Sequence, residues 1–407
     1  MTSLAWKTVT FGEVVRLEQG LCFNKKTNHL MAEHGIPLLR IADLINGTET
    51  KFADEGRVPK KFISDPKDII YSRTGQVGLV FRGRIGVVHN NCFRIIPKDG
   101  VERDFVYWYL RQPRIIETAR SLASGAAQPD LGHDAFKSII FRYPPPQTQR
   151  QLSRILSSYD DLIENNTRRI KILEQMAQML YREWFVNFRF PGHEGVKMVE
   201  SEMGLIPEGW APSAVGKLCG EVRRSVNPSD IPTDTPYIGL EHMPRKSIAL
   251  SEWGESGQVQ STKLRFLRGE ILFGKIRPYF HKVGVTPVDG VCSSDAIVIV
   301  PKHTDFFSVV LLCVSSEDFV LQATQTSQGT KMPRANWNVL CKYPIALPPK
   351  DLLDRFGGTV VPMVELINNL SFRNRCLRST RDLLLPKLVS GEIETPQVES
   401  VLEGVTV

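Results

Sequence analysis

From Gln147 onward, apolar residues recur at Leu152, Leu156, Tyr159, Ile163, Ile170, Leu173, Ala177, Leu180 and Trp184, with Asn166 filling the one polar slot. The steps alternate four and three over 33 residues, and no Gly or Pro falls between 147 and 189. This is a 3.5-residue repeat, which predicts a long helix carrying a coiled-coil seam. A second seam in the same phase runs through Val360, Met363, Ile367, Leu370, Asn374, Leu377, Arg381 and Leu384. There Gly357, Gly358 and Pro362 set the start near Thr359, and Pro386 sets the end near Leu385. At 1.5 Å per residue the helices would be about 60 and 40 Å long. Each seam needs a partner, and the simplest solution packs one on the other. Asn166 and Asn374 would then fix the register at a cost in stability.

Ahead of each helix lie about 145 residues of short apolar runs punctuated by Gly, Pro, Asn and Asp. IPLLRIADL (36–44), DIIYS (68–72), LVFRGRIGVV (79–88) and CFRIIPK (92–98) read as strands, and DFVYWYLRQP (104–113) reads as helical. The expected fold is therefore mixed α/β (α+β) globular domains.

These domains are two copies of one plan. Trp6 and Gly12 recur as Trp210 and Gly216, Gly86 and Val87 as Gly290 and Val291, and Pro97 and Lys98 as Pro301 and Lys302. The same offset of 204 carries Gly125 and Pro129 to Gly329 and Pro333, and Leu162, Ile163 and Asn165 to Leu366, Ile367 and Asn369. Chance matching does not hold one offset from residue 6 to residue 165. The expected layout is a first domain at 1–147, a helix at 148–190, a linker at 191–210, a second domain at 211–350, a helix at 351–389 and a flexible tail at 390–407. Tandem repeats related by a pseudo-two-fold axis would run the helices antiparallel with a domain at each end, a dumbbell.

Charge changes the picture only a little. The net charge is +7, with 21 basic against 15 acidic residues in 1–147 and 17 against 16 in 191–350. This permits contact with nucleic acid without requiring it. Seven dispersed cysteines with no C-x-x-C pair read as reduced thiols. The chain has no apolar run of 18 residues and no signal-like start, so a cytoplasmic location is expected.

Catalytic motifs are missing. The chain contains no phosphate-binding G-x-x-x-x-G-K-[ST], no H-E-x-x-H, no G-x-S-x-G and no G-x-G-x-x-G. Pro129-Asp130 is not followed by an acid-x-Lys, and Asn227-Pro228 is followed by Ser, where a base-flipping amino-methyltransferase would have Pro and an aromatic. The histidines show no metal-ligand spacing. No catalytic residue and no metal site is assigned.

Donors suited to DNA cluster after one strand in each copy. Ser72, Arg73, Thr74 and Gln76, with Arg82 and Arg84 shortly after, are matched by Lys275, Arg277, Tyr279 and His281, with Lys331 and Arg334 on a neighbouring loop. Arg and Gln suit base edges, hydroxyls suit phosphates, and interspersed glycines let backbone approach.

The runs IPLLRIADL, DIIYSRTGQVG, SGAAQPDL, PPPQTQRQLSRILSSYDDLIENNTRRIKILEQMAQMLYREWF and GLIPEGW, in that order and then repeated, resemble the specificity subunit of type I restriction-modification systems. The second copy departs in its turn, PPKDLLDRF, and in Arg381, which interrupts the seam. The resemblance implies a non-catalytic subunit whose two target recognition domains each read half of a bipartite, asymmetric sequence in double-stranded DNA. It implies paired helices that dock two methyltransferase subunits, with motor-nuclease subunits joining the full complex. S-adenosylmethionine, ATP and Mg would sit on those partners and no cofactor on this chain. A different reading is a coiled-coil protein scaffold that does not touch DNA, distinguished by the absence of salt-dependent duplex binding. A self-contained nuclease or methyltransferase would be active alone.

Overall fold

The computed structural model describes residues 6–393; the expected tail from 394 to 407 lies outside the described residues. The chain divides into two compact units, Met1–Asp160 with Ser379–Val407, and Asp161–Arg378.

In the first unit the strand Lys7–Thr10 pairs antiparallel with Ile140–Tyr143. Thr10 and Glu13 form a capping box, the Thr10 N–H donating to Glu13 Oε1 at 2.8 Å, which starts the single helical turn Phe11–Val14. A four-stranded antiparallel sheet follows in the order Val15–Gln19, Cys92–Pro97, Ile69–Ser72, Val80–Phe81. Ile69–Ser72 is buried at every residue, as an interior strand of continuous apolar sequence should be. A five-stranded mixed sheet runs Met31–Ala32, Phe52–Ala53, Ile36–Leu39, Gly86–Val88, Ile63–Ser64. Helices Arg103–Leu110 and Pro113–Leu122 complete the unit. Its core is aromatic, with Phe11, Tyr71, Phe93, Phe105, Phe136 and Phe141 all fully buried.

The second unit repeats this plan except at one edge. Ala211–Ala214 pairs with Pro344–Leu347 in the register of the first copy shifted by 204, Lys7↔Tyr143 becoming Ala211↔Leu347. The four-stranded sheet is Cys219–Glu221, Ala296–Pro301, Ile271–Gly274, Val283–Val285. The five-stranded sheet shares four strands with its counterpart but carries Arg224–Val226 at one edge, where the first copy carries Met31–Ala32 at the other. The buried helix Phe307–Val314 replaces aromatic bulk with aliphatic residues.

The structure differs from sequence expectation in four places. LVFRGRIGVV (79–88) is not one strand but two, Val80–Phe81 and Gly86–Val88, parted by Gly83 at φ 71°. IPLLRIADL is not one strand: Ile36–Leu39 is extended, but Ile41–Asn46 turns helical, with Gly47 at φ 64° ending it. The first long helix is α-helical over Pro146–Tyr181 and then widens into a π-turn, Arg182–Val186. The wider turn lets the consecutive residues Trp184 and Phe185 both pack on Phe356, with ring centroids 5.4 and 4.8 Å away. The second helix is not bounded by Thr359 and Leu385 but runs Lys350–Ser390. Its glycines and prolines weaken it locally, yet Leu352, Leu353 and Phe356 before the expected start, and Leu388 and Val389 after the expected end, are buried. Tertiary burial outweighs propensity there.

The seam residues sort as their spacing requires. Leu152, Leu156 and Tyr159 in the first unit are buried, as are Ile163, Asn166, Ile170, Trp184, Val360, Ile367, Leu370 and Asn374 in the second. Leu173, Leu180, Met363, Leu377 and Leu384 are partly buried. Within the second unit Asn166 meets Asn374 and Trp184 meets Phe356, so the two helices run antiparallel there.

Candidate nucleic-acid interface

In each copy the buried central strand of the four-stranded sheet runs out into a short loop before the edge strand. In the first copy that loop spans 73–79, and its shape is set by hydrogen bonds. Gly75 N–H donates to Pro129 O at 2.7 Å, Arg73 N–H to Asn91 O at 2.8 Å, and Leu131 N–H to Arg73 O at 2.9 Å, so the 124–131 turn is laced against it. Ser72, expected among the DNA donors, is fully buried (0% exposed). Its hydroxyl donates to Gln76 O at 2.5 Å and accepts from Leu79 N–H at 2.8 Å. It closes the turn and presents nothing to a ligand.

Arg73 and Thr74 converge on Asp130. The Arg73 guanidinium forms an ion pair with that carboxylate and donates to Gln19 Oε1 at 3.0 Å, and Thr74 Oγ1 donates to Asp130 Oδ1 at 2.5 Å. Burial pushes the Asp130 carboxyl up, but these bonds outweigh it and hold it below the usual range. His133 Nε2 shares Gln19 Oε1 at 2.8 Å, and its ring is kept below the ordinary imidazole value, first by burial and then by Arg73. Sequence reasoning missed Gln19, Asp130 and His133, which lie 54 to 60 residues from Arg73 and carry no local motif. Gln76, by contrast, is exposed at the loop tip.

Arg82 is turned toward the helices. It lies 4.2 Å over the Tyr107 ring and 3.2 Å from Asp104, with 26% of its side chain exposed. Arg84 is exposed beside Ile85, apart from the 73–79 loop.

The corresponding loop of the second copy is one residue longer. Lys275 N–H donates to Asp295 O at 2.9 Å, Arg277 N–H to Pro333 O at 2.7 Å, and Ala335 N–H to Lys275 O at 2.8 Å, repeating the lacing of the first copy. Arg277 and Tyr279 are exposed, Tyr279 at 52%. His281 is half-buried, its Nε2–H donating to Ser315 O at 2.9 Å. Lys331 and Arg334 lie exposed on the lacing turn, and the nearest carboxylate to Arg334 is Asp295 at 3.6 Å. The position of Asp130 in the first copy is thus occupied by an arginine in the second, both residues making the equivalent pair of isolated bridges. The first loop is neutralised from within, and the second is left cationic.

Also missed from sequence was Glu174, on the first long helix. It accepts from Ser247 Oγ at 2.6 Å and from the N–H groups of Ile248 and Ala249 at 2.8 and 3.2 Å. Burial raises its carboxyl above the usual range. It lines a cavity of about 740 Å³ with Gln178, Arg182, His281 and Glu317. Among the described residues no group of three or more His, Cys, Asp or Glu side chains is placed to hold a metal ion, and no single helix is long and apolar enough to cross a membrane.

Comparison with known proteins bears on these loops. The family model of the type I restriction modification DNA specificity domain matches residues 4–175. The MjaIX specificity subunit of a type I restriction enzyme from Methanocaldococcus jannaschii is 27% identical over 349 residues, which cover 81% of this chain and 78% of the relative. The HindI specificity subunit from Haemophilus influenzae is 25% identical, covering 95% of this chain and 99% of that protein. Among solved structures, the S subunit of a type I restriction-modification system from M. genitalium superposes with a TM-score of 0.60 over 95% of this chain and 97% of its own, at 13% identity, a likeness of fold.

Proposed function

We propose that this chain is a specificity subunit of a type I restriction-modification system and that it reads a bipartite, asymmetric target in duplex DNA, one half-site with each repeated domain. The observation that carries the proposal is the pair of equivalent loops, 73–79 and 275–282, built on the same strand with the same backbone lacing but different side chains. One scaffold with two sets of donors suits two different half-sites. Phosphate contacts would come from the exposed cations and base contacts from the loop tips.

The proposal extends to assembly. The two long helices pair as an antiparallel coiled coil, hold the domains at a fixed separation and dock two methyltransferase subunits, with motor-nuclease subunits completing the complex. S-adenosylmethionine, ATP and Mg belong to those partners. This chain supplies the address and no catalytic group, and it works in the cytoplasm.

The test is to express the chain with its methyltransferase subunits and map methylated adenines, then repeat with residues 1–147 exchanged for those of a related subunit. One half-site should change and the other persist. A change in both halves refutes modular readout. The absence of salt-dependent duplex binding refutes DNA recognition and leaves a protein scaffold.

A further inference from the structure

Two positions that are glycine in the first copy carry a basic residue in the second, and at both the backbone has positive φ. Strand registers define the correspondence. Ser72 and Gly274 oppose Cys92 and Ala296, which places Gly75 (φ 77°) opposite Arg277 (φ 49°). Tyr71 pairs with Val80 as Phe273 pairs with Val283, which places Gly78 (φ 97°) opposite His281 (φ 52°). A side chain in this left-handed region crowds its own backbone, and glycine does not. The first copy shows that the fold accepts glycine at each place, so the second retains its side chains against a local cost. Strain kept where the fold does not require it points to a use for the side chain.

For one of the two that use is internal: His281 Nε2 donates to Ser315 O at 2.9 Å, which ties its loop to the start of a helix. Arg277 has no such partner. Among the described residues its guanidinium makes no hydrogen bond or ion pair, and its nearest aromatic face, Phe280, is 5.9 Å away. Its backbone is nevertheless pinned on both sides: its N–H donates to Pro333 O at 2.7 Å and its carbonyl accepts from Phe280 N–H at 2.8 Å. The counterpart Gly75 has nothing within 4 Å of where a Cβ would stand, so a side chain at this place meets open space. A long donor fork without an internal partner thus projects from a pinned backbone on an exposed loop tip, beside the cations Lys331 and Arg334.

Resting on the DNA-reading function above, we propose that Arg277 is a base-reading residue of the second domain and that its base is guanine, whose O6 and N7 accept a guanidinium fork bidentately. A phosphate contact needs neither the strained backbone nor the pinned loop tip.

The experiment uses the complex with methyltransferase subunits and two variants. Arg277→Ala keeps the strain and removes the fork; Arg277→Gly removes both. Either should lower discrimination for one guanine of the second half-site by about 10- to 100-fold while the first half-site stays intact. Arg277→Gly should melt above Arg277→Ala, because only glycine relieves the backbone. The assignment is overturned if the methylated sequence is unchanged, if all sequences weaken alike, or if the lost position is not a guanine. Failure of the DNA-reading premise looks different, because the unmodified complex would then deposit no site-specific methylation.

Discussion

Asn166 Nδ2 donates to Asn374 Oδ1 at 3.0 Å, with both side chains buried between apolar neighbours of two antiparallel helices. Asn374 Nδ2 in turn reaches Thr167 Oγ1 at 3.2 Å and Ile163 O at 3.4 Å. A polar pair of this kind fits one register and is left unpaired in any other. Replacing Asn166 alone with Ala should cost about 1–3 kcal/mol, because the remaining amide loses its buried partner. Leu at both positions should restore or exceed the original stability in urea unfolding. A single substitution that costs nothing would show that the pair is not a register lock.

Asp160 is the acid of the first unit on which Arg381 and Arg111 converge, Arg111 at 3.1 Å, with Arg82 at 3.8 Å. Arg381, which breaks the apolar seam in sequence, is itself buried with Asp160 and Asp382 as partners. Asp160→Ala leaves Arg111 without a carboxylate and the buried Arg381 with only the exposed Asp382, and should destabilise the unit by about 3 kcal/mol. Arg381→Leu leaves Asp160 with Arg111 and should be tolerated within about 1 kcal/mol. Thermal melts of the two variants should separate them in that order.

Glu174 gives the stability a pH dependence. Burial raises its folded-state pKa above the ordinary value of 4.5, so the folded chain holds this proton where the unfolded chain has released it. Its contribution therefore falls as pH rises from about 4.5 through the raised value. Glu174→Gln retains an oxygen to accept from Ser247, Ile248 and Ala249 and removes the titration. Its unfolding free energy should decline less than that of the unmodified chain across that window, and equal slopes would mean that the group is not titrating there.

The helices, the duplication and the mixed α/β domains were legible because each rests on a periodicity or an offset that survives sequence divergence. Arg381 looked like a defect because its partner Asp160 is 221 residues away and no local pattern announces it. The helix ends at Lys350 and Ser390 were illegible for a related reason: Gly357, Pro362 and Pro386 are local signals, while the burial of Phe356 and Leu388 is a tertiary fact. Among the loop residues, sequence marked an equivalent loop in each copy but could not tell the buried clamp Ser72 from the exposed Gln76 beside it.

The opposite charges at Asp130 and Arg334 should divide the work of DNA binding unequally between the domains. Both residues bridge the reading loop to its lacing turn, Asp130 with Thr74 and Ser124, Arg334 with Ile276 and Gln328. Asp130 neutralises Arg73, whereas Arg334 keeps 56% of its side chain exposed and only a 3.6 Å contact to Asp295. Each phosphate neutralised contributes about 0.9 to the slope of log affinity against log salt. Arg334→Gln should therefore flatten that slope by about 1 while leaving the first half-site as it was. Asp130→Asn should act in the other direction, because Arg73 loses its counter-charge and becomes free to meet phosphate, steepening the slope and strengthening non-specific binding. Titrations of the assembled complex with duplex DNA between about 50 and 200 mM salt would read both effects. If Asp130→Asn leaves the slope unchanged while Arg334→Gln flattens it, Arg73 is a loop strut in every state. If neither variant moves it, the cations around the second loop do not face the phosphates and the binding surface lies elsewhere on the domain.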